Sequence, residues 1–158
     1  MAFSITVNLN IMALALTAQE ETKSVSKWRL YLLRGLYFLN FISLAFDNWS
    51  AVLFPQESLG VLGGVAISFW AGFSLLNLLG VRYPLKMLPV LMLQFLYKGA
   101  WIAGTFLPAY TAGTVDPGIQ EFFWVCIAGI GLNLIILPWG YLYRDWVRPF
   151  FKVKQHPA

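Results

Sequence analysis

An all-α bundle of four antiparallel membrane-spanning helices is the fold this sequence predicts, and three observations predict it. The first is composition. The 158 residues are 59% hydrophobic and 11% charged, with a mean hydropathy of +0.67, where a soluble domain carries about 25% charged residues. The second is where the charges are missing. Residues 59–81 and 122–143 hold none, Trp28–Phe46 holds Arg29 and Arg34 near one end, and Met87–Leu107 holds Lys98 alone. Each run is close to the ~20 residues that cross a bilayer as a helix. The third is the distribution of Lys and Arg. Lys23, Lys27, Arg29 and Arg34 precede or open the first run, Arg82 and Lys86 lie between the second and third, and Arg144, Arg148, Lys152 and Lys154 follow the fourth. The connections 47–58 and 108–121 carry only Asp47, Glu57, Asp116 and Glu121. Basic residues stay on the cytoplasmic side, so both termini are expected there.

These boundaries divide the chain into an N-terminal extension, 1–26, a four-span domain, 27–146, and a basic juxtamembrane tail, 147–158. In the extension, Ile5, Val7, Leu9 and Ile11 alternate with polar residues, a short strand-like pattern, and an apolar stretch, Met12–Ala18, follows. The first span covers 28–46. The second, 59–81, sets Gly60, Gly64, Ser68 and Gly72 on one helix face, where small side chains let backbones approach closely. That spacing predicts a helix-packing face. The third, 84–107, opens at Pro84, which suits a first helical turn. Pro89 would either kink it or mark its true start. The fourth, 122–143, has Pro138 near its cytoplasmic end. Of the seven Trp residues only Trp70 falls at mid-depth; the others form the aromatic belt of a membrane protein. In the tail, Trp146, Phe150 and Phe151 alternate with cations that would meet anionic lipid headgroups.

Lys98 is the residue that asks for an explanation. An ammonium at membrane depth costs roughly 2.5–3.5 kcal/mol on insertion scales, so it needs a partner or a polar cavity. Gln94, Lys98, Trp101 and Thr105 recur at helical spacing and share a face, with Tyr97 at its flank. At about 1.5 Å per residue, Lys98 stands roughly 20 Å from Tyr83, in the outer half of the bilayer. Asp47 ends the first span at a similar depth and is the leading ion-pair partner, with Glu121 and Asp116 of the loop after the third span next, and Gln94 as a further neighbour. Such a pair could simply fix helix register, or the lysine could snorkel outward past Trp101. Alternatively, Lys98, Asp47, Gln94, Tyr97 and Trp101, joined by the mid-depth amides Asn40 and Asn133, would line a polar pocket for the headgroup of a lipid or a quinone. The default for intramembrane Asn is a modest interhelical hydrogen bond.

Several function classes fall away. A net charge of +4 is accounted for by topology and not by a nucleic-acid surface. The single Cys, Cys126, cannot form an internal disulfide, and the single His, His156, cannot supply a bis-histidine haem; neither suggests a metal site. No nucleophile elbow or phosphate-cradling glycine loop is present. No cofactor is evident beyond the quinone or lipid that the pocket would accept.

The run Arg82-Tyr83-Pro84-Leu85-Lys86-Met87-Leu88-Pro89, continuing through Leu96-Tyr97-Lys98 to Trp101, resembles a segment of small bacterial inner-membrane proteins. In size and helix number these are similar to the DoxX-like group, and the likeness covers about Trp28 to Phe151. The resemblance implies a multi-pass protein of the bacterial inner (plasma) membrane with four helices; some DoxX-like proteins are associated with quinone-linked sulfur oxidation. No catalytic residue of that group has a counterpart here, so the likeness bears on location and architecture. Three functions fit. One is a non-catalytic subunit or scaffold, partnered by another membrane protein or a second copy, in a redox or respiratory assembly. A second is a membrane enzyme or binding protein for a lipophilic molecule around Lys98. A third is a transporter, for which one lysine without a mid-membrane acid makes a poor relay. A pocket of a few hundred Å³ beside Lys98 would favour the second. An uncovered Gly60–Gly72 face would favour the first.

Overall fold

The computed structural model describes Met12, residues 25–55 and residues 60–151. The strand-like pattern of 5–11, most of the apolar stretch to Ala18, Glu57, and the tail residues Lys152, Lys154 and His156 lie outside the described residues. Among those described, all regular structure is helical. Helix α1 is Lys27–Leu53, α2 is Val61–Arg82, α3 is Leu88–Thr111 and α4 is Pro117–Ile136, each long and apolar enough to cross a bilayer. This is the architecture of a multi-pass membrane protein. The chain then continues through the short helix α5, Trp139–Leu142.

Local chemistry moves several boundaries from where charge alone set them. Helix α1 runs through Asp47 to Leu53, because single charged residues near a helix end do not terminate it. Helix α4 starts at Pro117, five residues before the charge-free run. Asp116 caps it by accepting the Ile119 N–H at 2.8 Å, and Pro117 occupies the first turn. Its other end falls at Ile136 and not at 143. Pro138 disfavours helical backbone in the residue before it, and Leu137 accordingly adopts φ −58°, ψ 132°. Pro84 lies in the 84–87 turn; Pro89 is the second residue of α3, inside its first turn.

Proline also explains two π-helical segments. Ile102–Phe106 lies within α3 just ahead of Pro108, and the Leu107 N–H reaches the Ile102 carbonyl five residues back. Tyr143–Val147 follows α5 just ahead of Pro149, and the Arg148 N–H reaches Tyr143 in the same way. A proline removes one i→i−4 bond, and widening the preceding turn re-pairs the neighbouring groups. The wider turn also rotates the face that follows. Thr105 is exposed although Gln94 and Lys98 are buried, so the four-residue stripe does not stay on one side.

The chain divides into two compact units, Leu32–Leu137 and a second built from the segments up to Tyr31 and from Pro138 onward. In the first, polarity is arranged as a bilayer demands. Large apolar side chains point outward, with Val61 85% exposed, while Asn77, Asn133, Gln94 and Lys98 are buried, the last at 5%. Where hydrocarbon surrounds a protein, hydrophobicity does not sort the interior, and shape and hydrogen bonds must hold the helices together. Tyr37 of α1 is fully buried with its ring against Gly80 of α2, and its hydroxyl donates to the Pro84 carbonyl at 3.1 Å. Trp49 Nε1 of α1 donates to Ser74 Oγ of α2 at 3.1 Å, and Ser74 in turn donates to the Ala71 carbonyl at 2.7 Å.

Among the described residues, nothing packs onto the face of Gly60, Gly64, Ser68 and Gly72 for which the sequence predicts a packing role. A Cβ added at Gly60, Gly64 or Gly72 would meet nothing within 4 Å, and Ser68 is exposed. The α2 residues that face inward are Ala71, Phe73, Ser74, Asn77 and Gly80. They follow the same 3–4 spacing on another side of the helix, and spacing alone does not say which side faces in.

Candidate functional site

Within the Leu32–Leu137 unit a cavity of about 290 Å³ opens among all four long helices. Helix α1 contributes Asn40, Ser43, Leu44 and Asn48, and α2 contributes Trp70. Helix α3 contributes Gln94, Tyr97 and Lys98, and α4 contributes Phe122 and Val125. Four of the residues expected from sequence, Asn40, Gln94, Tyr97 and Lys98, therefore share one wall system. Asp47, Trp101 and Asn133 do not line it.

The base of the site is a reciprocal amide pair. Asn40 Nδ2 donates to Gln94 Oε1 at 2.8 Å, and Gln94 Nε2 donates back to Asn40 Oδ1 at 2.9 Å. Both residues are buried. The pair fixes the register of α1 against α3 and leaves one N–H of each amide for another partner.

Lys98, one turn along α3 from Gln94, is not ion-paired. Among the described residues the only salt bridge is Arg144–Asp145. The Lys98 side chain turns to α4, where Nζ donates to the Val125 carbonyl at 3.4 Å. Gly129 makes this possible: any Cβ there would collide with the terminal atoms of the lysine. The expected Asp47 partner is exposed on α1. Asp47 is seven residues from Asn40 and Lys98 four from Gln94, about 10 Å and 6 Å along their helices from the same fixed point. With the lysine drawn to α4, the two side chains have no common target.

The remaining candidates are placed as follows. Tyr97 packs edge-on against Trp70 at 4.7 Å between ring centroids and against Phe73 at 6.2 Å, closing one side of the cavity with aromatic surface. Trp101 packs edge-on against Phe122 at 4.6 Å and so backs a cavity residue without facing the cavity itself. Asn133 does not reach across to another helix; its Nδ2 donates to the Gly129 carbonyl at 3.0 Å. Asn77 does the same with Phe73 at 2.9 Å. The Oδ1 atoms of both are buried without a protein partner.

Sequence reasoning took Ser43 only as a polar residue inside the first span, and it missed Asn48 and the Val125 carbonyl. Asn40, Ser43 and Asn48 do form a polar stripe on α1, a signal available in the spacing; the carbonyl of an apolar residue leaves none. Among the described residues no three His, Cys, Asp or Glu side chains come together. The chemistry on offer in the cavity is that of amides, the hydroxyl-bearing Ser43 and Tyr97 and one amine, whose N–H and O–H groups can donate to oxygen acceptors, set among aromatic and aliphatic surface. No family model matches the chain, and no curated protein or solved structure is significantly similar to it.

Proposed function

We propose that this protein binds an amphiphilic molecule in the bilayer and holds its headgroup, a carbonyl or an oxyanion, in the Lys98 cavity. The observation that carries this reading is a buried amine with one acceptor in hand and no carboxylate partner among the described residues, on the wall of a largely apolar cavity that holds a few polar groups. Ionisable groups at membrane depth are functional candidates by default. The volume sets the scale. Ligand pockets run from about 300 to 1,000 Å³, so about 290 Å³ accommodates a headgroup and leaves a lipid or isoprenoid tail on the apolar exterior. A quinone ring, with carbonyls for Lys98 and for the free amide N–H groups of Asn40 and Gln94, meets these terms. So does the polar end of a lipid.

The wider setting we propose is a bacterial inner membrane, with α1–α4 antiparallel and both termini cytoplasmic. The charge distribution supports the orientation. The pairing of Tyr37 with Gly80 and of Trp49 with Ser74 supports α1 and α2 running in opposite directions. The loose likeness to DoxX-like proteins belongs to the same proposal. A second reading, a non-catalytic subunit of a redox assembly, is favoured by the outward-facing Gly60–Gly72 stripe, which a partner helix could cover.

The test is solvent extraction and mass spectrometry of the protein purified in native-lipid nanodiscs, wild type against Lys98→Met. The expected result is at least a tenfold loss of one co-purifying quinone or lipid species in the variant, with thermal stability unchanged or raised. Removing an unpaired amine leaves no stranded charge behind. Equal recovery of every species from both proteins would overturn the binding reading.

A further inference from the structure

A second site lies in the other unit. Val25, Ser26 and Arg29 on one side, with Pro138, Gly140, Tyr141 and Arg144 on the other, enclose a cleft of about 460 Å³. Val25 and Tyr141 are buried and form its apolar floor, while both guanidinium groups are at the accessible rim. We infer that this cleft binds a phosphate group, carried by an anionic phospholipid or free in solution, between Arg29 and Arg144.

Arg144 is preset for the task. Its Nε and Nη2 donate to the two carboxylate oxygens of Asp145 at 2.9 Å each, and its Cζ stands 5.8 Å from the centroid of the Tyr141 ring. The fork and the ring hold the guanidinium plane and use two of its five N–H groups, leaving three for an incoming oxyanion. Arg29 has no carboxylate partner among the described residues. Its backbone N–H donates to Ser26 Oγ at 3.5 Å, which leaves the Ser26 hydroxyl hydrogen free to donate into the cleft. Asp145 offsets one arginine, and Arg29 keeps the described lining of the cleft positive, as an anionic phosphate oxygen requires. Planar guanidinium groups are suited to phosphate because they bond two oxygens at once. Basic pockets between the cytoplasmic ends of spanning helices bind lipid headgroups on these terms. The site is distinct from the Lys98 cavity and does not depend on what that cavity holds.

The experiment uses the full chain in nanodiscs of phosphatidylcholine, with and without phosphatidylglycerol, and reads bound lipid by native mass spectrometry. A second arm titrates inorganic phosphate into phosphatidylcholine nanodiscs and follows 31P line broadening. Wild type is compared with Arg29→Gln/Arg144→Gln and with Arg82→Gln, which removes a basic residue outside the cleft. The proposal expects the double variant to lose at least tenfold in phosphatidylglycerol retention, in phosphate binding, or in both, while Arg82→Gln changes either by less than twofold. Loss in the first arm alone identifies a lipid-borne phosphate; loss in the second identifies the free anion. Wild-type binding in the double variant, or an equal loss from Arg82→Gln, would overturn it, because diffuse surface charge would then suffice. Both arginines are exposed, so unchanged thermal unfolding is the expected control.

Discussion

Two sets of glycines in this chain teach opposite lessons. Gly80 and Gly129 belong to no every-fourth-residue ladder, and each receives a large side chain from another helix, the Tyr37 ring and the Lys98 chain. Gly60, Gly64 and Gly72, with Ser68, form the regular small-residue ladder that invites a packing interpretation, yet no described residue comes within 4 Å of where a Cβ would stand on any of the three glycines. A glycine matters to a fold when something fills the volume it leaves. The pattern of small residues marks where close approach is permitted, and only a large residue on a neighbouring helix turns permission into contact.

The sharpest way to break this contrast is Gly80→Ala. A Cβ at position 80 meets three carbons of a fully buried aromatic ring, and a ring in a filled site cannot fold away as a lysine terminus can. Overpacking of this kind typically costs 1–3 kcal/mol, so a loss of about 2 kcal/mol is expected. It should be accompanied by loss of the Tyr37–Pro84 hydrogen bond, which ties α1 to the 84–87 turn. Thermal unfolding in detergent would show it. Stability within about 0.5 kcal/mol of wild type would mean that the ring has room to spare, and that the notch is incidental.

A smaller effect is expected at the amide pair that sets the site. Gln94→Leu strands the Asn40 amide in the bundle and should cost on the order of 1 kcal/mol, since membrane hydrogen bonds average about 0.6 and reach about 1.7. Asn40→Leu/Gln94→Leu removes both partners and should recover most of that loss, because no buried polar group is left unpaired. A double-mutant cycle with no coupling energy would show that the two amides do not hold α1 against α3.

The difference between what was legible and what was not follows the same physics. The four spans could be read because missing charge over about 20 residues has one common cause, a hydrocarbon surround. Their ends could not be read from charge, since Asp116 with Pro117 starts a helix and Asp47 fails to end one. At the site, Lys98, Gln94 and Asn40 announced themselves by being polar where polarity is expensive. Their partners did not. An exposed Asp47 looked like the counter-ion because opposite charges suggest pairs, whereas the acceptor is a backbone carbonyl beside a glycine. No residue letter at Val125 encodes that. The rotation that exposes Thr105 follows from Pro108, a signal present in the sequence but hidden unless the helix hydrogen bonds are counted one by one.

The smallest effect on folding, and the one that separates the two readings of function, is expected at the ladder. Gly64→Leu places its side chain where a Cβ meets nothing, so the stability of the isolated chain should change by no more than about 0.5 kcal/mol, as for other surface substitutions. Leucine is also the better helix former, which pushes any residual change toward stabilisation. A partner helix seated on this face would feel the substitution strongly, because a bulky residue separates backbones that a small-residue interface holds close. Size-exclusion chromatography with light scattering, run beside thermal unfolding, distinguishes the cases. Unchanged stability and unchanged mass leave the ladder facing lipid and the Lys98 cavity as the centre of function. Unchanged stability with a fall in mass makes the ladder an interface with another chain and strengthens the subunit reading. A loss of stability in a protein of unchanged mass would mean that the ladder packs within the fold, and the contrast with Gly80 and Gly129 would collapse.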